Sequence, residues 1–337
     1  MISRLLQSNH PSMALFLIPL TALVWIVPIM FPVHFSPYLQ AAPFQKLLHM
    51  LTQITWISNT LFILIILFEA LWLNIIVDKF KLTPTSNYMT AFIFILLSAC
   101  FPVILWHLNI LVANICLLAV INFSFEIYHN ENPINNAFKC GMIISLASLF
   151  YWPALSFGLF TFAALIVLEK PSIRHLTVYL TGLILPFIYY LVYLFYFDRT
   201  DELISVLSGF YLNPFTLITR FDYSDITLIS LLLIFMIPAF PSFYKHMVSN
   251  NISVRQMLSL LILFLLLSVL MIGYTQSGSL PLFFGVIPIS IYLAIILSRL
   301  KKNFLAEVFI LLMLLVILFH QAVCCDILNK SFSIFTR

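Results

Sequence analysis

Apolar residues run through this chain in long, nearly unbroken blocks, and the polar residues gather in the short gaps between them. The blocks are Met13–Pro32, Trp56–Val77, Met89–Trp106, Leu108–Phe125, Ala137–Tyr151, Pro153–Leu168, Leu176–Phe197, Thr227–Phe243, Met257–Tyr274, Leu282–Leu297 and Phe304–Val323. Block length is the informative feature, because about 20 consecutive apolar residues match the hydrocarbon thickness of a bilayer. The pattern predicts an all-α, polytopic membrane protein with about 11 transmembrane helices, residues 1–337 forming a single transmembrane domain. Two neighbouring pairs, divided near His107 and near Trp152, are short for full crossings and read as tilted hairpins or re-entrant elements. The first block is too long for a signal-peptide core and is expected to be retained as a span.

Composition narrows the class further. With 63% hydrophobic and 8% charged residues, the chain excludes a soluble fold, a disordered chain and a nucleic-acid binder. The same composition excludes a disulfide-stapled secreted scaffold; of the five cysteines, Cys100, Cys116 and Cys140 lie in apolar blocks, Cys324 and Cys325 follow the last one, and no C-x-x-C metal spacing occurs. Only seven glycines occur, and no Walker loop, G-x-G-x-x-G turn or G-x-S-x-G elbow is among them, so no nucleotide motif is present; no haem motif is present either, and the cofactor stays open.

The net charge of +4 matters less than its placement. If the amino terminus is cytoplasmic, Arg4, Lys79, Lys81, Lys139, Lys170, Arg174, Lys245, Arg255, Arg299, Lys301 and Lys302 all fall inside, eleven of the sixteen basic residues. Lys46, Arg199, Arg220, Lys330 and Arg337 fall outside, which places the carboxyl terminus on the periplasmic or exterior face of a bacterial inner membrane. Two outward segments are more than connectors. Between Pro43 and Ile54, Phe44, Leu47, Leu48, Leu51 and Ile54 recur at helical spacing opposite Gln45, Lys46, His49 and Gln53, the pattern of a helix lying on the outer leaflet. The loop from Asp198 to Ile226 carries Asp198, Asp201, Glu202, Asp222 and Asp225, five of the twelve acids.

Candidate chemistry is sparse. Glu69 lies near the middle of the second block with no base within a helical turn, so a partner from another helix is required. Asn59, Asn74, Asn109, Asn114 and Asn122 read as interhelical bonds, and Glu126 and Glu307 as anchors reaching toward water. His107 and His320 mark outer ends as solvated or capping residues, and no His-x-x-x-His or Glu-x-x-His pair points to a metal. Glu69, Asp222 and Asp225 are the catalytic candidates; Asp201, Glu202 and Arg220 are the candidates for substrate binding. The turn containing Tyr274, Gln276, Ser277 and Ser279 suits a substrate mouth or an ordinary hairpin.

A first span, an outward interfacial helix, and closely paired spans such as NNAFKCGMIISLASLFYWPALSFGLFTFAALIVLEK resemble the membrane module of GT-C type glycosyltransferases. That resemblance implies a GT-C-like arrangement and a donor carried on polyprenyl phosphate. It also implies a catalytic acid on the first outward loop, whereas Val33 to Gln53 contains none, so no catalytic residue carries over. Over its whole length the chain also resembles an uncharacterised family of polytopic bacterial inner-membrane proteins. Three functions follow as expectations: a GT-C-like protein, active or degenerate, handling a lipid-linked glycan or lipid at the outer leaflet; a structural or assembly subunit of a cell-envelope complex, with other membrane proteins as partners; and a secondary transporter built around Glu69.

Overall fold

The computed structural model describes residues 12–31, 44, 55–85, 87–128, 133–168, 173–198, 230, 240–273, 280–299 and 303–324. Among the described residues the chain is helical, without strands. Its helices are α1 (Ser12–Met30), α2 (Thr55–Lys79), α3 (Met89–Ser98), α4 (Leu108–Glu126), α5 (Ile134–Phe150), α6 (Gly158–Leu168), α7 (Ile173–Tyr196), α8 (Phe240–Ser249), α9 (Ile252–Ile272), α10 (Leu282–Arg299) and α11 (Asn303–Cys324). Six of them, α2, α4, α7, α9, α10 and α11, are long and apolar enough to cross a membrane. These six are fewer than the expected eleven: the apolar stretch Ala14–Met30 of α1, the helices α3 and α5, and Trp152–Leu168 with α6 are shorter, and the predicted Thr227–Phe243 span lies mostly outside the described residues.

The expected breaks near His107 and Trp152 have a clear cause. Pro102 opens the 3-10 turn Pro102–Trp106 and Pro153 is the second residue of the turn Trp152–Phe157; proline has no N–H to continue the preceding helix. Phe101, Tyr151 and His107 leave helical geometry at these reversals. Irregular backbone is tolerated at membrane depth only where protein covers it. Both turns meet that condition, with Pro102, Ile104, Pro153, Ala154 and Phe157 buried. Two adjacent rings of α10 brace them: Phe283 meets Phe101 at 5.7 Å, and Phe284 meets Tyr151 at 5.6 Å and Phe157 at 5.7 Å between centroids.

Burial grades outward from this centre. Every residue of α3 and all of Leu282–Leu297 in α10 are buried. On the periphery only 17% of the α7 span and 28% of the α11 span are covered. Ile184, Ile188, Val192 and Phe195 form an exposed stripe along α7, an apolar surface of the kind lipid covers. α7 is held by α5 through a close crossing, where Gly141 faces the Tyr179 carbonyl and Gly182 faces the Phe138 carbonyl.

The two ends of the bundle differ chemically. At one end Lys79 forms an ion pair with Glu126, and Arg299 reaches His246. At the other, the Phe44 N–H donates to the Leu149 carbonyl at 3.2 Å, its ring packs on Phe150 and Tyr190, and Trp152 packs on Phe187. These contacts all join residues that the lysine and arginine pattern assigns to the same face. Exposed Trp56, Trp106, Tyr193 and Tyr196 ring the aromatic end, as interfacial aromatics do, and Tyr128 and Tyr244 lie at the basic end.

Candidate functional site

α2 and α4 are zipped together by polar side chains. At the basic end, Lys79 of α2 pairs with Glu126 of α4, and Asn122 donates to the same Glu126 oxygen at 3.2 Å. Glu126, expected as an anchor near this end, is also one half of an ion pair. Glu69 lies ten residues up α2 from Lys79 (79 − 69), and Asn114 lies twelve up α4 from Glu126 (126 − 114). At a rise of about 1.5 Å per residue both sit roughly 15–18 Å from the ion pair, which brings them level near mid-membrane.

There the Asn114 carboxamide donates from Nδ2 to Glu69 Oε2 at 3.1 Å, with both residues fully buried. This is the partner on another helix that Glu69 required. It is also an interhelical bond of the kind expected of the asparagines, as is the 3.5 Å bond from Asn109 Nδ2 to the Phe150 carbonyl. Glu69 Oε1 and Asn114 Oδ1, the remaining oxygens of the pair, have no hydrogen-bond partner among the described residues. A buried polar atom without a partner costs about 1–3 kcal/mol; Asn74, Asn136 and Gln321 each leave one such atom too, but Glu69 and Asn114 leave two on the two halves of one bonded pair.

A second polar cluster closes the basic end, and sequence reasoning missed it. α8 begins inside the predicted Thr227–Phe243 span, so its amphipathic character was hidden by the apolar block before it. Its His246 is buried. The ring joins three elements: Nε2 donates to the Leu82 carbonyl at 3.0 Å, Nδ1 accepts from Arg299 of α10 at 2.7 Å, and Asn250 packs beside both nitrogens. This arrangement requires the neutral imidazole, since a protonated ring has no acceptor for Arg299. Burial pushes the imidazole below its ordinary range, the Leu82 carbonyl pulls it back, and the Arg299 charge lowers it again. A depressed histidine stabilises the fold fully above the unfolded value of about 6.5, and that contribution is lost as pH falls. The melting temperature of the detergent-solubilised protein is therefore expected to drop between pH 7 and pH 5, with a shallower drop in His246→Gln. Equal slopes for the two proteins would remove His246 from the explanation.

The other candidates divide. Asp201, Glu202, Arg220, Asp222 and Asp225 lie outside the described residues, as do Tyr274, Gln276, Ser277, Ser279 and the Pro43–Ile54 segment apart from Phe44. His320 is buried and not solvated: its Nε2 lies 3.4 Å from Sγ of Cys324, the last residue of α11. Next to it Gln321 donates from one nitrogen to the Val24 and Ala99 carbonyls, tying α11 to α1 and to the end of α3.

Residues 25–327 match the Family of unknown function (DUF6427), and the chain belongs to that family. No curated protein and no solved structure matches the chain.

Proposed function

We propose that this family member is a multi-pass protein of the bacterial inner membrane that handles a lipid-linked glycan or a related lipid at the outer leaflet. Its amino terminus is cytoplasmic in this reading, and its arrangement is like that of the GT-C type membrane module. The observation that carries the proposal is the seat of Phe44. This residue of the first outward segment is bonded through its backbone to Leu149 and packed on Phe150 and Tyr190. Phe44 itself is thereby seated where α5 turns into α6, beside the buried Trp152–Phe157 turn. An aromatic shelf of Phe44, Phe150 and Tyr190 suits a long isoprenoid or acyl chain. With no acid between Val33 and Gln53, Glu69, Asp222 and Asp225 are the carboxylates left as candidate bases, and if none of them acts so the chain is a degenerate, binding-only relative.

A second reading, a subunit of a cell-envelope complex, is favoured by one specific observation: among the described residues only 17% of the α7 span is buried. Native mass spectrometry of the protein extracted in mild detergent and delipidated separates the two. A retained polyprenyl phosphate or lipid-linked sugar supports the first reading. A protein retained at fixed stoichiometry without such a lipid overturns it in favour of the second.

A further inference from the structure

We propose that Glu69 and Asn114 form a proton-binding site in the membrane interior, in which the carboxyl is held protonated and exchanges two hydrogen bonds with the carboxamide. The argument is an inventory of donors. In the ionised form Glu69 offers only acceptors, and Asn114 offers one acceptor and two donors. One bond is made, from Nδ2 to Oε2, and the oxygens left over are Oε1 on the acid and Oδ1 on the amide. Two leftover acceptors on the two halves of one pair are satisfied together by a single proton, placed on Oε1 and donated to Oδ1.

No described cation competes for this role. The elements packed against α2 are α1, α3, α4 and the Pro102–Trp106 turn. α1, α3 and the turn contain no ionisable side chain, and α4 brings only Cys116 and Glu126. His107, at the start of α4, is seven residues from Asn114 (114 − 107), about 10 Å along the helix. On α2 itself the ionisable neighbours are Asp78 and Lys79, and Lys79 is paired with Glu126 at the far end. An ionised carboxylate here would be fully buried and without a counter-ion among the described residues, so the neutral acid is the form these surroundings select. The site thus holds one proton in the interior of the bundle, whatever lipid the outward end handles.

The test uses the full-length chain in lipid bilayers, with 13C at the carboxyls of its six glutamates and 15N in the asparagine side chains, read by solid-state NMR at neutral pH. The expected spectrum has one carboxyl in the acid form, in dipolar contact with an asparagine side-chain nitrogen. Glu69→Gln removes that resonance, and Asn114→Leu removes the contact. Carboxylate signals from all six glutamates in the unsubstituted protein would overturn the proposal, as would an acid-form carboxyl that shows no asparagine contact or persists in Glu69→Gln. The spectrum of the unsubstituted chain decides the question even where a variant does not fold.

Discussion

Gly182→Leu is expected to abolish the docking of α7 on α5 and to leave little folded protein in detergent extracts. At this crossing a Cβ on Gly182 would stand 2.5 Å from the Phe138 carbonyl oxygen, and one on Gly141 would press on the Tyr179 carbonyl. These neighbours are backbone and cannot turn aside. Overpacking of a tight contact costs roughly 1–3 kcal/mol even where side chains can shift, and more is expected where helix backbones must separate. Gly285 is the internal comparison: a Cβ there meets the Ser268 hydroxyl at 2.8 Å, a side chain able to rotate, so Gly285→Ala should melt close to the unsubstituted protein. Melting curves read by size-exclusion chromatography distinguish the two. Equal tolerance at both glycines would mean that α5 and α7 do not cross at backbone contact.

Glu69→Lys is expected to be the most damaging single change in the membrane interior. It places a cation beside the Asn114 carboxamide, between α1, α3 and α4, none of which carries an acid at that depth. A lysine at the centre of a span costs about 2.5–3.5 kcal/mol on insertion scales, enough to lower the yield of inserted protein strongly. Glu69→Gln keeps the size, the neutrality and the bond from Asn114, and should accumulate and melt like the unsubstituted chain. The pair of variants is diagnostic. If a cation outside the described residues neutralised Glu69, the glutamine would strand that charge and be nearly as harmful as the lysine. Similar yields for Glu69→Lys and the unsubstituted chain would contradict the burial of the site.

Much of the fold was legible because apolar blocks and prolines act locally. The helices follow the blocks, and the breaks near His107 and Trp152 fall where Pro102 and Pro153 remove donors. Full crossings were less legible. A run such as Met89–Trp106 is apolar throughout, yet it divides into a helix and a 3-10 turn, and hydropathy does not register the division. The need of Glu69 for a partner could be read from its depth, but not which asparagine would supply it. Glu126 looked like an anchor because Lys79 is distant in sequence, and only the side-by-side packing of α2 and α4 makes them a pair. His246 stayed hidden because its partners are the Leu82 carbonyl and Arg299, brought to it by two other parts of the chain.

The central claim is that the aromatic end, where Phe44 is seated, faces outward and the basic end faces the cytoplasm. Single cysteines test it most directly. With the five native cysteines replaced by serine, Tyr196→Cys and Tyr244→Cys place one thiol at each end, at side chains 80% and 59% exposed. A membrane-impermeant maleimide added to intact cells is expected to label Tyr196→Cys at once and Tyr244→Cys only after the membrane is opened. Labelling of Tyr244→Cys in intact cells, with Tyr196→Cys protected, would invert the molecule and contradict an outward site at Phe44.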